Sequence, residues 1–587
     1  MKLFKFIMAL CLSLCLAVAQ AGTPVSVKIL SFNDFHGNLQ SPGNFSGRPS
    51  GGVDYLAAYI AKARAQNPNT FVVTAGDLVG ASPLISAFFY DEGTIETMNR
   101  LGLDFDAVGN HEFDAGKVEL MRKQKGGCHP SGANTCNGAA VGTPVPFEGA
   151  KFKFLSANVI DNATGKPLFP AYGIKTANGL RIAFIGMTLV GTPGIVTPAG
   201  VAGLTFKDEA DTVNALVPRL KALGVNAIVV LVHQGGFQAS TAPNFINDCS
   251  GALQTPVISP IKGIVSRLDD AVDLVISGHT HTGYVCQLPN KVGRNVPVTQ
   301  AAAFGRVLTD VSMTLDSDTG KVTSVRALNV IVDRTDATVA PFLSSQIRNI
   351  VSGYSALVSP LANQVIGSIT APTPNSANAA GEMPAGDLIA DAQLAATAPV
   401  GLGGAQIAFM NAGGVRNPGF VAPAATPVYP HNVTYGESFT VQPFGNSLVT
   451  MTLTAQQLKD VLEQQFTGCN GQTAQRIMQV SAGFRYSWSL AALPCSKILD
   501  VSFTPSGGAT DVIVSGGVVV DPTKTYRVTV NNFMATGGDA FTVLTGGANQ
   551  LGGAQDIDAL VAYFAAFKSP NPPYDPLAVA PRITRLP

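Results

Sequence analysis

Charge is scarce in this chain, and it cancels. Asp, Glu, Lys and Arg make up 13% of the residues, with 38 acids against 38 bases. Zero net charge supplies no long-range field for a polyanion, so no nucleic-acid polymer is expected as a partner. No C-x-x-C spacing occurs, which excludes the usual cysteine metal knuckles. Past the N-terminus no apolar run reaches the length of a membrane span. The final stretch PLAVAPRITRLP also lacks the hydrophobic tail of a lipid-anchor signal, so no membrane anchor is expected. Histidine is rare too, seven in 587 residues, which makes its placement informative.

What is present is a globular composition, 46% hydrophobic, in a chain too long for one core. Two large units or more are expected. Lys2 and Lys5 precede an apolar run from Phe6 to Val18, and small residues follow (Ala17, Ala19, Ala21). This pattern predicts a secretory signal over residues 1–21 rather than a retained anchor, and hence export to a periplasm or the medium. Cys11 and Cys15 lie inside that run. The remaining six cysteines favour disulfides in an exported chain. Nearness in sequence suggests Cys128–Cys136, Cys249–Cys286 and Cys469–Cys495, among the several connectivities that six cysteines allow.

Between Val25 and Val332 short runs rich in Val, Ile and Phe alternate with helix-like segments such as VDYLAAYIAKARAQ. That alternation predicts a layered α/β domain over residues 22–335. The segment Val339 to Ala356 reads as an amphipathic helix bridging two domains, within a linker at 336–362. From about Pro360 the pattern resets. Helix-like GDLIADAQLAATA and strand-like QIAFMN open a second α+β or α/β unit over 363–587.

The ends of the apolar runs in the first unit carry the chemistry. SFNDFHG supplies Asp34 and His36, TAGDLVG supplies Asp77, and GNHEFD supplies Asn110, His111 and Asp114. LVHQGG supplies His233, and SGHTHTG supplies His279 and His281. Ligands of α/β sheets bind beyond the carboxyl ends of the strands. Five of the seven histidines fall in these motifs; only His129 and His431 lie elsewhere. Imidazole, carboxylate and amide donors suit divalent transition metals. There are more donors than one tetrahedral ion needs, so two ions are implied, with Asp77 the natural bridge. Paired ions clamp the attacking and leaving oxygens of an in-line displacement at phosphorus. The donor set suits Zn, Mn, Fe or Co without choosing among them.

In this order, D-x-H, GD, GNHE, H before a Gly-Gly turn, and GHTH resemble the metallophosphoesterase (calcineurin-like) superfamily. The resemblance implies a four-layer α-β-β-α sandwich. It further implies one metal on Asp34, His36, Asp77 and His281, a second on Asp77, Asn110, His233 and His279, and a metal-bound water attacking phosphorus. By the same likeness His111 faces the substrate phosphate, with Asp114 orienting it and raising its pKa. The competing role for Asp114 is N-cap of the helix that follows. Glu112 reads as structural.

In the second unit, NAGGVRNP, VQPFGNSL and NNFMATGGDAF resemble the C-terminal domain of secreted 5′-nucleotidases. That likeness implies a nucleobase between Phe444 and Phe533, ribose on Asp539, and Asn411 and Arg416 on the base and the anionic end. Gly413 and Gly414 allow close backbone approach. An arginine that the family often carries before the helix resembling GDLIADA is missing from PNSANAAGEMPAGDLIADA, which puts the preferred substrate in doubt. A nucleotide is the expected partner. The readings are a 5′-nucleotidase, a 2′,3′-cyclic-nucleotide phosphodiesterase with 3′-nucleotidase activity, or a nucleotide-sugar hydrolase on the same site. A thiosulfohydrolase-like relative has no need of a base clamp. A secreted binding protein with a disused site is the alternative of another class.

Overall fold

Two six-stranded sheets stack face to face in the N-terminal half. The structure, a computed structural model, describes residues 23–196, 198–225, 227–236, 245–249, 259–423 and 427–587. The expected signal at 1–21 lies outside the described residues. In the first sheet the spatial order is Val322–Ile331, Val307–Asp316, Pro24–Phe32, Thr70–Thr74, Phe105–Ala107 and Lys153–Leu155. The last four run parallel and the first two pair antiparallel. The second sheet runs Gly283–Pro289, Asn295–Ala301, Leu274–Ser277, Ala227–His233, Leu180–Thr188 and Tyr172–Ala177.

The period-two alternation of a strand sets the layers. Val25, Val27 and Ile29 point into the core between the sheets, while Leu30 and Phe32 point to the helices outside. In Ala227–His233, Val229 and Leu231 face the other sheet, and Ile228, Val230 and Val232 face the outer helices. Strands covered on both faces are apolar almost throughout, as the sequence runs suggested. The helix Val53–Gln66 forms over the VDYLAAYIAKARAQ segment. The result is the helix–sheet–sheet–helix sandwich.

The bridging helix spans Ser345–Ala362, not Val339 to Ala356. A short 3₁₀ turn at Ala340–Phe342 takes the expected start. Ser344 then caps the helix, its hydroxyl accepting from the Ile347 N–H at 3.3 Å. Pro360 falls in the last turn and does not stop the helix before Ala362. Ile347, Ile350, Tyr354 and Val358 bury into the N-terminal core. The chain then enters a second α+β unit with two five-stranded sheets. Helix Pro384–Thr397 packs against one of them, beside Met410, Leu560 and Phe564. The three cysteine pairs are Cys128–Cys136, Cys249–Cys286 and Cys469–Cys495. No helix among the described residues is long and apolar enough to cross a membrane.

Candidate functional site

Five loops leave the carboxyl ends of five parallel strands and converge. Asp34, His36 and His281 form one group of donors, and Asp77, His233 and His279 form a second. In the first, His36 Nε2 lies 3.2 Å from His281 Nε2, and His281 Nε2 lies 3.4 Å from Asp34 Oδ1. In the second, Asn110 Oδ1 lies 3.1 Å from His233 Nε2 and 3.0 Å from His279 Nδ1. Asp77 Oδ2 reaches both, 3.0 Å from His233 Nε2 and 3.7 Å from His36 Nε2. An ion with bonds of roughly 2.0–2.2 Å to N and O donors holds neighbouring donors roughly 3–3.6 Å apart. These spacings and this donor chemistry fit two divalent ions.

The rings are oriented for that task. His36 Nδ1 bonds to the Gly80 carbonyl at 2.8 Å and His233 Nδ1 to the Ala75 carbonyl at 2.7 Å. A carbonyl can only accept, so each Nδ1 carries the proton and each Nε2 is free for a metal. Burial would raise the pKa of both carboxylates. The surrounding imidazoles outweigh it, His281 chiefly for Asp34 and His233 chiefly for Asp77, and both groups are held low. Burial opposes charge on His233 as well, but Asp77 and Asp34 push that ring up to about 9. Burial and the neighbouring His233 take His279 down to about 3.

The backbone here is strained. Asp34, His36, Asp77, His279 and His281 have φ of 48°, 47°, 51°, 76° and 56°. Left-handed conformations cost non-glycine residues roughly 1–3 kcal/mol each and persist only where the surroundings over-determine them. The loops supply that constraint to one another. The N–H groups of Asp34, His36 and Gly37 donate to the carbonyls of Gly76, Asp77 and Leu78 at 3.0, 2.9 and 3.1 Å. Glu112 ties a third loop to these, accepting from Gly109, Asp77 and Leu78 N–H at 2.6, 3.1 and 2.7 Å. Its role is structural, as expected from sequence, and central. A Cβ at Gly109 would lie 2.3 Å from Asp77 Oδ1, so only glycine fits between the carboxylates.

His111 stands outside both groups. Its Nδ1 is 2.8 Å from Asp114 Oδ2. Asp114 does not cap the next helix, whose N-cap is Ala115 with no side-chain bond. Burial opposes a charge on His111, but Asp114 and Asp77 raise its pKa above the usual histidine range.

The second unit closes over this cage. A cavity of about 190 Å³ is lined by Asn110, His111 and His279 from one half and by Arg416, Phe444, Phe533 and Asp539 from the other. The Phe444 ring lies 5.7 Å from the His111 ring at an interplanar angle of 19°. Phe444 and Phe533 both line the cavity, and no ring contact joins them among the described residues. The Arg416 guanidinium lies 5.6 Å from the Phe444 centroid and has no carboxylate partner among the described residues. Burial lowers its pKa, against the pull of Asp77, Asp114 and Asp34. Asn411 also lines the cavity, where it donates to Asp539 Oδ2 at 2.9 Å and accepts from Asn531 at 3.0 Å. At Gly414 a Cβ would meet the Met410 methyl at 2.4 Å and Asn411 Oδ1 at 2.8 Å, so those side-chain ends would have to shift. At Gly413 it would make only ordinary contacts of 3.7 and 3.8 Å, because that backbone faces the open cavity.

Sequence reasoning missed Arg476, Asn446, Ile195 and Val196, which also line the cavity. Arg476 pairs with Asp539 at 2.9 Å, so a second arginine does stand in the substrate half. Asn446 sits inside the QPFGN motif and could have been found there. Nothing in QTAQRIMQV marks Arg476.

Comparison with known proteins agrees with this geometry. Residues 27–283 match the calcineurin-like phosphoesterase family, and residues 365–546 match the 5′-nucleotidase C-terminal domain. The chain is 30% identical over 93% of its length to endonuclease YhcR of Bacillus subtilis, and 26% identical over 91% to a snake venom 5′-nucleotidase of Naja atra. It spans only 40% of the former and 64% of a cell wall protein of Listeria monocytogenes, against 95% of the venom protein. The crystal structure of a 5′-nucleotidase precursor from Thermus thermophilus superposes with a TM-score of 0.72 at 26% identity, covering 96% of this chain and 99% of that one.

Proposed function

Because the chain belongs to the family that joins a calcineurin-like phosphoesterase domain to a 5′-nucleotidase C-terminal domain, we propose that it is an exported nucleotide phosphoesterase, releasing nucleoside and phosphate from 5′-nucleotides. The observation that carries this reading is the single cavity with metal-cage donors on one wall and paired phenyl rings with an unpartnered arginine on the other. On this reading residues 22–335 are the catalytic domain, 336–362 the linker and 363–587 the substrate domain.

Asp34, His36, Asp77 and His281 would hold one ion, and Asp77, Asn110, His233 and His279 the other. When bound, the two ions supply Lewis acidity at phosphorus and lower the pKa of water. Arg416 would face the phosphoryl oxygens, where a guanidinium binds bidentately. His111, its pKa raised by Asp114 and Asp77 against the effect of burial, would in its protonated form donate a hydrogen bond to a phosphoryl oxygen as negative charge builds. Phe444 and Phe533 would hold the base by stacking, a mode tolerant of base identity. Asp539, fixed by Asn411 and Arg476, would accept from ribose hydroxyls.

The test is a panel of AMP, 2′,3′-cyclic AMP and a nucleotide sugar, each with Zn²⁺, Mn²⁺, Fe²⁺ or Co²⁺. AMP turnover that depends on added ion is expected. A protein with both ions bound and no turnover on any member would instead be a binding protein.

A further inference from the structure

Asp539 and Arg476 share a wall of the first cavity with Phe444, Phe533 and Asn446. The Asp539 carboxylate is held from behind by a series of amides. The Met534 N–H donates to Asn531 Oδ1 at 2.8 Å, Asn531 Nδ2 to Asn411 Oδ1 at 3.0 Å, and Asn411 Nδ2 to Asp539 Oδ2 at 2.9 Å. The Gln472 amide donates to the Asp539 carbonyl at 2.9 Å. An ionised carboxylate only accepts, so it fixes the direction of the series, and with about four lone-pair sites it has capacity left. An added Cβ at Gly538 would lie 2.4 Å from Phe533 Cε2, so that ring rests on the residue just before Asp539. The carboxylate thus stands beside the ring expected to hold the base.

Arg476 is the unusual partner. Elsewhere in this protein an arginine that braces an aspartate grips it with two hydrogen bonds. Arg334 holds Asp54 at 2.7 and 3.2 Å, and Arg582 holds Asp391 at 2.8 and 2.7 Å. Arg476 lacks that grip. One terminal nitrogen lies 2.9 Å from Asp539 Oδ1, and Nε is buried with no acceptor among the described residues. The Arg476 side chain is 31% exposed, against 6% for Asp539. Most of the guanidinium fork is therefore unused, next to a carboxylate that can still accept. A guanidinium only donates and a carboxylate only accepts, so the pair presents one donor and one acceptor side by side on the cavity wall.

We propose that Arg476 and Asp539 together read the two neighbouring hydroxyls of a ribose, Asp539 accepting from one and Arg476 donating to the other, so that the site selects ribonucleotides over deoxyribonucleotides. The proposal rests on the phosphoesterase reading above and adds a specificity-determining residue to it. Each hydroxyl of a cis diol can donate or accept, so one serves the carboxylate while its neighbour serves the guanidinium. A sugar that lacks either hydroxyl leaves one of the two protein groups without its partner, and a site built to bond a hydroxyl rejects the analogue that lacks it. Water reaches the partly exposed Arg476 and replaces a missing hydroxyl there in part. The discrimination expected is therefore about tenfold, not the roughly 10⁴–10⁵-fold of a fully closed site.

The experiment measures kcat/KM for AMP, 2′-deoxy-AMP and 3′-deoxy-AMP in wild type, R476M and D539N, each with ions restored and its melting temperature recorded. Wild type is expected to favour AMP over each analogue by about tenfold. R476M is expected to bring AMP to within about twofold of one analogue while keeping its advantage over the other, and D539N to do the reverse. If R476M collapses both ratios, or the same one as D539N, Arg476 acts only by orienting Asp539, and the proposal is overturned. It is overturned too if R476M leaves both ratios unchanged, including the case in which only the preference between AMP and GMP moves. The wild-type ratios need no variant to fold. AMP within about twofold of either analogue overturns the proposal and leaves the nucleotidase reading standing. A wild type inactive on all three overturns the two together.

Discussion

His111 and Phe444 pose the sharpest questions a single side chain can answer. The His111 ring belongs to neither donor group of the cage, although its backbone N–H donates to Asp77 Oδ1 at 2.8 Å, and its Nδ1 is locked to Asp114 at 2.8 Å. His111→Ala is therefore expected to reduce kcat by roughly 10²–10⁴-fold, the span of a lost proton donor, while elemental analysis still finds both ions. Asp77→Ala, by contrast, should lose metal, because it takes away the carboxylate common to both groups. Phe444 faces the cavity, with its ring against His111 and the Arg416 guanidinium. Phe444→Ala should weaken kcat/KM for AMP by roughly 5- to 150-fold, the worth of one stacked base, and spare a small aryl phosphate. Equal losses on both substrates would remove the clamp assignment. At this scale the sequence was most readable for the metal donors, because histidine and aspartate at the tips of apolar runs have few other uses. It was silent on Arg476, an ordinary residue whose position depends on neighbours far along the chain.

Elements explain how such donors are held. Each parallel strand delivers its loop to the same edge, and the loops then bond to one another where the backbone is left-handed. The strands could be read from alternating apolar residues; the positive φ values could not, because aspartate and histidine tolerate that conformation without requiring it. The bridging helix was legible in type but misplaced at its start, where a 3₁₀ turn intervenes. Its seat on the N-terminal half contains a buried acid. Tyr354 donates to Glu96 at 3.2 Å, and burial, against the hydrogen bonds of Thr143 and Tyr354 and the charge of Arg100, pushes Glu96 up to about 7. The folded state therefore holds this proton more tightly than the unfolded chain does. Stability falls as pH rises from about 4.5 towards 7, and the penalty persists above that. Glu96→Gln, neutral throughout and still an acceptor for Tyr354, should raise the melting temperature at pH 8 by roughly 2–6 °C, for roughly 1–3 kcal/mol. The gain should shrink towards pH 5. An equal shift at both pH values would show that Glu96 is ionised throughout.

The whole molecule depends on the cage as much as the reaction does. Two buried carboxylates and four imidazoles gather at the carboxyl edge of the strands of the N-terminal sandwich, in two groups whose donor atoms lie within 4.8 Å of one another. A chelator should therefore lower the melting temperature, and added divalent ion should restore it in proportion to the logarithm of its free concentration. Scanning calorimetry would read this without any substrate. The two-domain plan was legible because the apolar pattern resets between the halves. Their docking was not, since no local pattern encodes which surfaces meet.

The first cavity has its floor on one half of the protein and its roof on the other. A swing of one half against the other would therefore reshape it, and would drag a whole domain through solvent. If that swing is the slow step, turnover inherits the friction of the medium: kcat should fall in inverse proportion to relative viscosity as sucrose is added, whereas a chemistry-limited enzyme would ignore it.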